Sequence, residues 1–224
     1  MKSRIEKELF NYKAYLEEYF PTNDILKKVK SKEFLDFFDK TLTLSKICKC
    51  LNSEVNKTNR YTNILEYNLN NLLYFLPLNE LVSINMSVRN TTEYLIKLIY
   101  HLNQPQNNYL NTGYRSLSED RDTLGFYNQS KNNVDLLFEI YSRRSNTVHL
   151  KEVEEDALTS ILESKLTKPV CTGDLNILRN DINNCKNTLI EAILYYEVSL
   201  STQQKIILKQ LISKKQINKI NLSC

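Results

Sequence analysis

Between Leu81 and Leu102 the residues Leu81, Ile84, Val88, Thr91, Leu95, Leu98 and Leu102 recur in alternating steps of three and four. That rhythm keeps one side chain per turn on a single stripe of an α-helix and would scatter the same residues over both faces of a strand. It predicts one long helix with a seam over residues 79–102. The chain has little means of making much else, because 3 glycines and 4 prolines are all that punctuate its 224 residues. So few breakers cannot supply the repeated tight turns of a β-sandwich or barrel. The class read from the sequence is all-α, a single helical domain over 1–224, and 42% hydrophobic residues suffice for its core.

Other segments carry the same period. Ile5, Leu9, Tyr12, Leu16 and Tyr19 predict a first helix over 3–20 that Pro21 closes. Thr22 or Asn23 caps a short piece to Lys30, and Ser31 precedes an amphipathic run through Phe34, Leu35, Phe38, Leu42 and Ile47, predicting a helix over 32–51. Residues 54–76 begin polar and end dense in leucine before Pro77, which predicts a helix whose early half is solvated. Residues 103–129 hold Pro105, Gly113 and Gly125 and read as an irregular stretch with a short helical turn at 116–122. Ser130 starts a helix with the stripe Val134, Leu137, Phe138, Tyr141, Ser145 and Val148. Glu152, Glu154, Glu155 and Asp156 suit the positive end of a helix running to about Leu166. Asp174 is the expected cap of a long helix through Leu175, Leu178, Ile182, Cys185, Leu189, Ala192 and Tyr196, and a last amphipathic piece covers 201–212. Lys214, Lys215 and Lys219 then read as a solvated end.

Several chemistries drop out on composition. Isolated glycines make no phosphate-cradling loop and no Gly-x-Ser-x-Gly elbow. Cys48, Cys50, Cys171, Cys185 and Cys224 are an odd set without paired zinc spacing, and the carboxylates at 152–156 have no histidine at ligand-like spacing, so neither a metal nor another cofactor is expected. A formal charge of +4 permits nucleic-acid binding without demanding it. The sequence enters a charged amphipathic pattern at once and holds no run near the ~20 apolar residues of a membrane span, which leads us to expect a cytoplasmic protein with no membrane partner. His101, at a helix end, reads as a cap or surface residue.

One stretch concentrates the remaining chemistry: Tyr141-Ser142-Arg143-Arg144-Ser145-Asn146-Thr147-Val148-His149. It places a permanent cation near the side chain that titrates closest to neutral pH, as handling a phosphodiester requires. On a helix, Ser145 and His149 share a face, whereas Arg144 is rotated ~140° and Arg143 ~120° from the histidine, so one arginine can serve a site while the other meets solvent or a partner. On the long seam-bearing helix, Arg89 and Glu93 stand four apart, either as a surface ion pair or as an orienting pair for the Arg/His stretch.

The combination resembles the HEPN superfamily of small helical bundles, whose active members carry an Arg-x4-6-His motif, matched here by Arg144 and His149, with Arg143 also at an allowed spacing. Ser87-Val88-Arg89-Asn90-Thr91-Thr92-Glu93 looks like the upstream arginine and glutamate helix of bacterial relatives, so the resemblance covers a core of about 79–150. The resemblance implies a homodimer with facing Arg/His motifs that cleaves RNA without metal, often as a toxin held by an antitoxin or as an antiviral defence effector. In that chemistry His149 takes the proton of a 2′-hydroxyl, the oxygen attacks the adjacent phosphorus, and Arg144 stabilises the added negative charge. Arg143, Ser145, Asn146, Arg89 and Glu93 are the accessory and RNA-contacting candidates. The competing reading is a non-catalytic helical dimer that binds a protein or holds RNA without cutting it.

Overall fold

A computed structural model describes residues 2–53, 56–148 and 170–212 of the chain. Among these residues every regular element is helical: α1 (Lys2–Tyr19), α2 (Asp24–Lys28), α3 (Lys32–Leu51), α4 (Asn59–Phe75), α5 (Leu81–Asn103), α6 (Tyr114–Glu119), a 3₁₀ turn (Arg121–Thr123), α7 (Tyr127–Val148), α8 (Thr172–Tyr195) and α9 (Thr202–Leu211). The all-α expectation holds. The starts are set by local chemistry. Asn23 Oδ1 accepts from the Ile25 amide at 2.8 Å and Ser31 Oγ from Phe34 at 3.2 Å, each filling an orphan donor of the first turn. Ser201 and Gln204 exchange side-chain bonds with each other's amides.

The packing centres on α5, which lies against α4, α7 and α8, while α3 joins α4 to α8 on the other side. The predicted seam is what α5 buries: Ile84, Val88, Leu95, Leu98 and Leu102 lie in one apolar cluster, although Leu81 at its start stays exposed. Phe34, Phe37 and Phe38 of α3 and Leu178, Ile182, Cys185 and Leu189 of α8 enter the same cluster, which runs from Leu16 to Ile212.

Three local expectations change. α4 starts at Asn59 instead of 54, and its early half is solvated on one face only, since Tyr61 and Thr62 are buried while Arg60 and Asn63 are exposed. The cause is the preceding turn, where the Thr58 hydroxyl donates to the Leu51 carbonyl and folds the chain back onto α3. α7 includes a first turn from Tyr127, and the non-helical Ser130 (φ −126°, ψ 25°) separates that turn from the helix expected to start there. α8 is capped by Cys171: its Sγ accepts from the Asp174 amide at 3.4 Å and Asp174 Oδ2 accepts from the Cys171 amide at 2.7 Å. Asp174 is thus the reciprocal member of that pair rather than the cap. Gly125 admits Tyr195 against the backbone, where an added Cβ would stand 3.1 Å from the ring. The expected acidic helix start at 152–156, the lysines at 214–219 and Cys224 lie outside the described residues.

Candidate functional site

The last turns of α7 face α5 on one side and α8 on the other, and the side chains there are charged. On α5, Asn85, Arg89, Glu93 and Lys97 succeed one another every fourth residue, which lines them along one flank of the helix beside its apolar seam. On α7, Tyr141, Arg144 and Ser145 fall on one face by the i, i+3, i+4 rule. On α8, Asp181 stands between Leu178 and Ile182, on the side that faces the core.

Asp181 ties the two neighbouring arginines. Arg143 Nη2 donates to its Oδ1 at 2.6 Å, while Arg144 donates to Oδ2 from Nε at 3.0 Å and from Nη2 at 2.5 Å. Arg144 Nη1 also donates to Asn85 Oδ1 of α5. Arg144 therefore clamps α7 to both neighbours, with a side chain 12% exposed against 5% for Asp181. Arg143 differs: its side chain is 46% exposed, and Glu139 lies 3.9 Å away on the same helix. The two arginines thus differ in placement, with Arg144 turned inward and Arg143 outward. Asp181 itself was not anticipated, although a lone carboxylate on the apolar stripe of α8 is a signal that a buried cation must face it.

Arg89 forms the second half of the cluster. Its Nε donates to Ser145 Oγ at 2.9 Å and its Nη2 to the Tyr141 phenol oxygen at 2.6 Å. Glu93 lies 3.7 Å from Arg89 but only 2.8 Å from Lys97, so its tighter partner is the lysine. Lys97 is itself buried and donates to the Leu110 carbonyl at 2.9 Å. Tyr114 of α6 stacks on Tyr141 with ring centroids 3.7 Å apart, and its hydroxyl donates to the Phe138 carbonyl. Burial is the main reason the Tyr114 phenol titrates above its ordinary range.

The structure thus brings together Arg89, Glu93, Arg143, Arg144 and Ser145, and it leaves Asn146 exposed on the adjoining surface. Ser145, expected on the apolar stripe of α7, serves as the acceptor for Arg89. His149 lies outside the described residues. His101 is a correction: it is buried, with Nδ1 3.1 Å from the Asn107 carbonyl, Nε2 2.9 Å from the Asn56 carbonyl, and its ring stacked on Tyr61. Local sequence gave no sign of this, because both carbonyls come from loops outside its own helix.

Chemically, the cluster is, among the described residues, a row of four cations (Arg89, Lys97, Arg143, Arg144) tethered by Glu93 and Asp181, and Arg143 is the most exposed of the four. Such an arrangement can hold an anionic group at the end of α7. No helix among the described residues is long and apolar enough to cross a membrane. No family model, curated protein or solved structure matches the chain.

Proposed function

We propose that the chain is a HEPN-type, metal-independent endoribonuclease that works as a cytoplasmic homodimer in defence or under the control of an antitoxin. The observation that carries this reading is the state of the paired arginines. Arg143 is half-exposed, and its guanidinium is held from behind by Asp181, whose other oxygen is taken by Arg144. A cation fixed in this way loses little rotamer freedom on meeting a phosphate. It stands six residues before His149, the general base and acid of the proposed cleavage. In this reading His149 removes the 2′-hydroxyl proton, the oxygen displaces the 5′-oxygen of the next nucleotide, which takes a proton from the partner's His149, and a 2′,3′-cyclic phosphate remains. Arg143 steadies the added phosphoryl charge, and Arg144, with Arg89 and Ser145, positions the last turn of α7.

The test is cleavage of end-labelled single-stranded and structured RNA by wild type, His149→Ala and Arg143→Gln, with a chelator present. Cyclic-phosphate ends from wild type alone support the reading. Cleavage that requires a divalent metal and persists in His149→Ala overturns it.

A second reading, an RNA- or protein-binding helical module without catalysis, rests on Arg144, three of whose nitrogens are already engaged by Asp181 and Asn85. It predicts RNA retention without product, equal in wild type and His149→Ala.

A further inference from the structure

Away from the arginine cluster, the start of α4, the end of α5 and the loop after it enclose a hollow of about 500 Å³. A neighbouring lobe of about 380 Å³ shares Lys57, His101, Pro105 and Gln106 with it. We propose that this hollow binds a small organic phosphate of the nucleoside monophosphate class.

Size, charge and fixed walls lead to that assignment. The larger lobe falls within the ~300–1,000 Å³ typical of small-molecule sites. Its lining includes Lys57 and Arg60 and no carboxylate among the described residues, Glu197 lines the neighbouring lobe, and neither cation makes an ion pair with a described residue. Both are exposed at the rim. Two unpaired cations over a concave polar surface attract an anion, and the planar arginine fork beside a lysine point charge suits a phosphate monoester. Lys57 also holds a left-handed backbone (φ 52°), a conformation disfavoured for a residue with a Cβ and kept where surrounding contacts impose it.

The nucleoside part follows from the remainder of the lining. Gln106, Asn107 and Asn108 line the same lobe with amides; Asn107 Nδ2 donates to Gln104 and Asn108 Oδ1 accepts from the Leu110 amide, so the Asn107 oxygen, the Asn108 NH2 and the Gln106 amide are the acceptors and donors that can meet the edge of a base. The floor is the stacked pair Tyr61 and His101, with ring centroids 5.1 Å apart. His101 also braces the site: its Nε2 lies 2.9 Å from the carbonyl of Asn56, next to Lys57, and its Nδ1 3.1 Å from that of Asn107, so the neutral ring donates to one of these carbonyls and the protonated ring to both. The Tyr61 hydroxyl accepts from the Tyr109 amide at 3.0 Å and pins the far end of that loop. The cationic rim and the amide wall are therefore held apart at a fixed distance before any ligand arrives.

The experiment is calorimetric titration of the full chain with AMP, adenosine and inorganic phosphate, repeated on Lys57→Ala/Arg60→Ala, on Gln106→Ala and on Arg143→Gln. The expected result is saturable AMP binding, at least tenfold weaker adenosine and phosphate binding, at least a tenfold loss in the double variant and a smaller loss in Gln106→Ala. The rim residues are exposed, so the double variant should keep the wild-type circular dichroism spectrum and melting temperature. Phosphate binding as tight as AMP overturns the nucleoside assignment. Absence of AMP binding at millimolar concentration overturns the site, as does a double variant that binds like wild type. AMP binding lost in Arg143→Gln but kept in the double variant places the nucleotide at α7 and also overturns it.

Discussion

Replacing Asp181 by asparagine is the sharpest test of how α7 is held. The substitution keeps the shape of the side chain and one acceptor oxygen, so it opens no cavity, but it removes the charge that faces two guanidinium groups. The two halves of the interaction differ in worth. Arg143 is 46% exposed, so its share is screened by water and amounts to at most ~1 kcal/mol. Arg144 is 12% exposed and Asp181 5%, so this half behaves as a buried pair. Breaking such a pair leaves a cation without compensation, at a cost of ~3–5 kcal/mol; the residual exposure and the retained amide oxygen argue for the low end, about 3 kcal/mol. For a chain of this length each kcal/mol shifts the melting temperature by ~2–4 °C, so the expected fall is about 6–12 °C. The assay is thermal and urea denaturation followed by circular dichroism, with Arg143→Gln as the exposed control expected to lose ~1 kcal/mol or less. High salt should narrow the loss in Arg143→Gln and leave that in Asp181→Asn nearly unchanged, since only the exposed half is screened. A fall below ~2 °C for Asp181→Asn, or equal losses in the two variants, would refute the buried-clamp argument.

Three further outcomes follow from other parts of the molecule. Lys97→Met removes a buried amine that serves both Glu93 and the Leu110 carbonyl, leaving Glu93 with Arg89 at 3.7 Å, and it should cost ~2–4 kcal/mol in urea denaturation. Alkali should destabilise the fold: burial pushes Tyr196 up to about 12 and raises Tyr12 as well, whereas tyrosines of the unfolded chain ionise near ~10. The unfolded state then binds fewer protons, so this contribution is complete below about pH 10 and is lost as pH climbs towards about 12; urea midpoints measured across that window should decline less steeply in Tyr196→Phe. Among the described cysteines, Cys171 is exposed while Cys48, Cys50 and Cys185 are buried, and burial lifts the Cys185 thiol to about 12. A thiol reagent with peptide mapping should therefore modify Cys171 in the native protein and the other three only on unfolding.

What could be read from the sequence was what depends on neighbours along the chain. The seam from Ile84 to Leu102 and the caps Asn23 and Ser31 are local patterns, and the structure realises them. His101 depends on distant partners. Its helix end looks polar, and only the loops carrying Asn56 and Asn107, together with Tyr61 of α4, bury it. The burial at the start of α4 was hidden for a similar reason, because the polar residues around Tyr61 and Thr62 conceal that these two face inward. The candidate site was half visible. Arg89, Arg143, Arg144 and Ser145 could be named from their spacing, but their pairing required knowing that α8 brings Asp181 between the two arginines. The four-residue series Asn85, Arg89, Glu93 and Lys97 held more information than the single Arg89–Glu93 pair, since a continuous polar flank beside a buried seam marks where another polar helix face must pack.

The two arginines cannot exchange roles, and this governs how loss of function is interpreted. Arg144 uses Nε and Nη2 on one carboxylate oxygen and Nη1 on Asn85, a three-point arrangement that depends on the planar fork. A lysine carries its donors on a single nitrogen and cannot reach α5 and α8 from the same geometry. Arg143 meets Asp181 at Oδ1 through Nη2, lies 3.9 Å from Glu139 and has a side chain 46% exposed, so a lysine there retains both the charge and its outward reach. Activity lost on Arg144→Lys therefore reports the placement of α7, and with it the direction in which the chain leaves towards His149. Activity lost on Arg143→Gln but kept on Arg143→Lys reports a cation at the phosphate. Only the second pattern supports catalysis at the end of α7, because the first is equally expected of a helical module whose arginine merely holds three helices together.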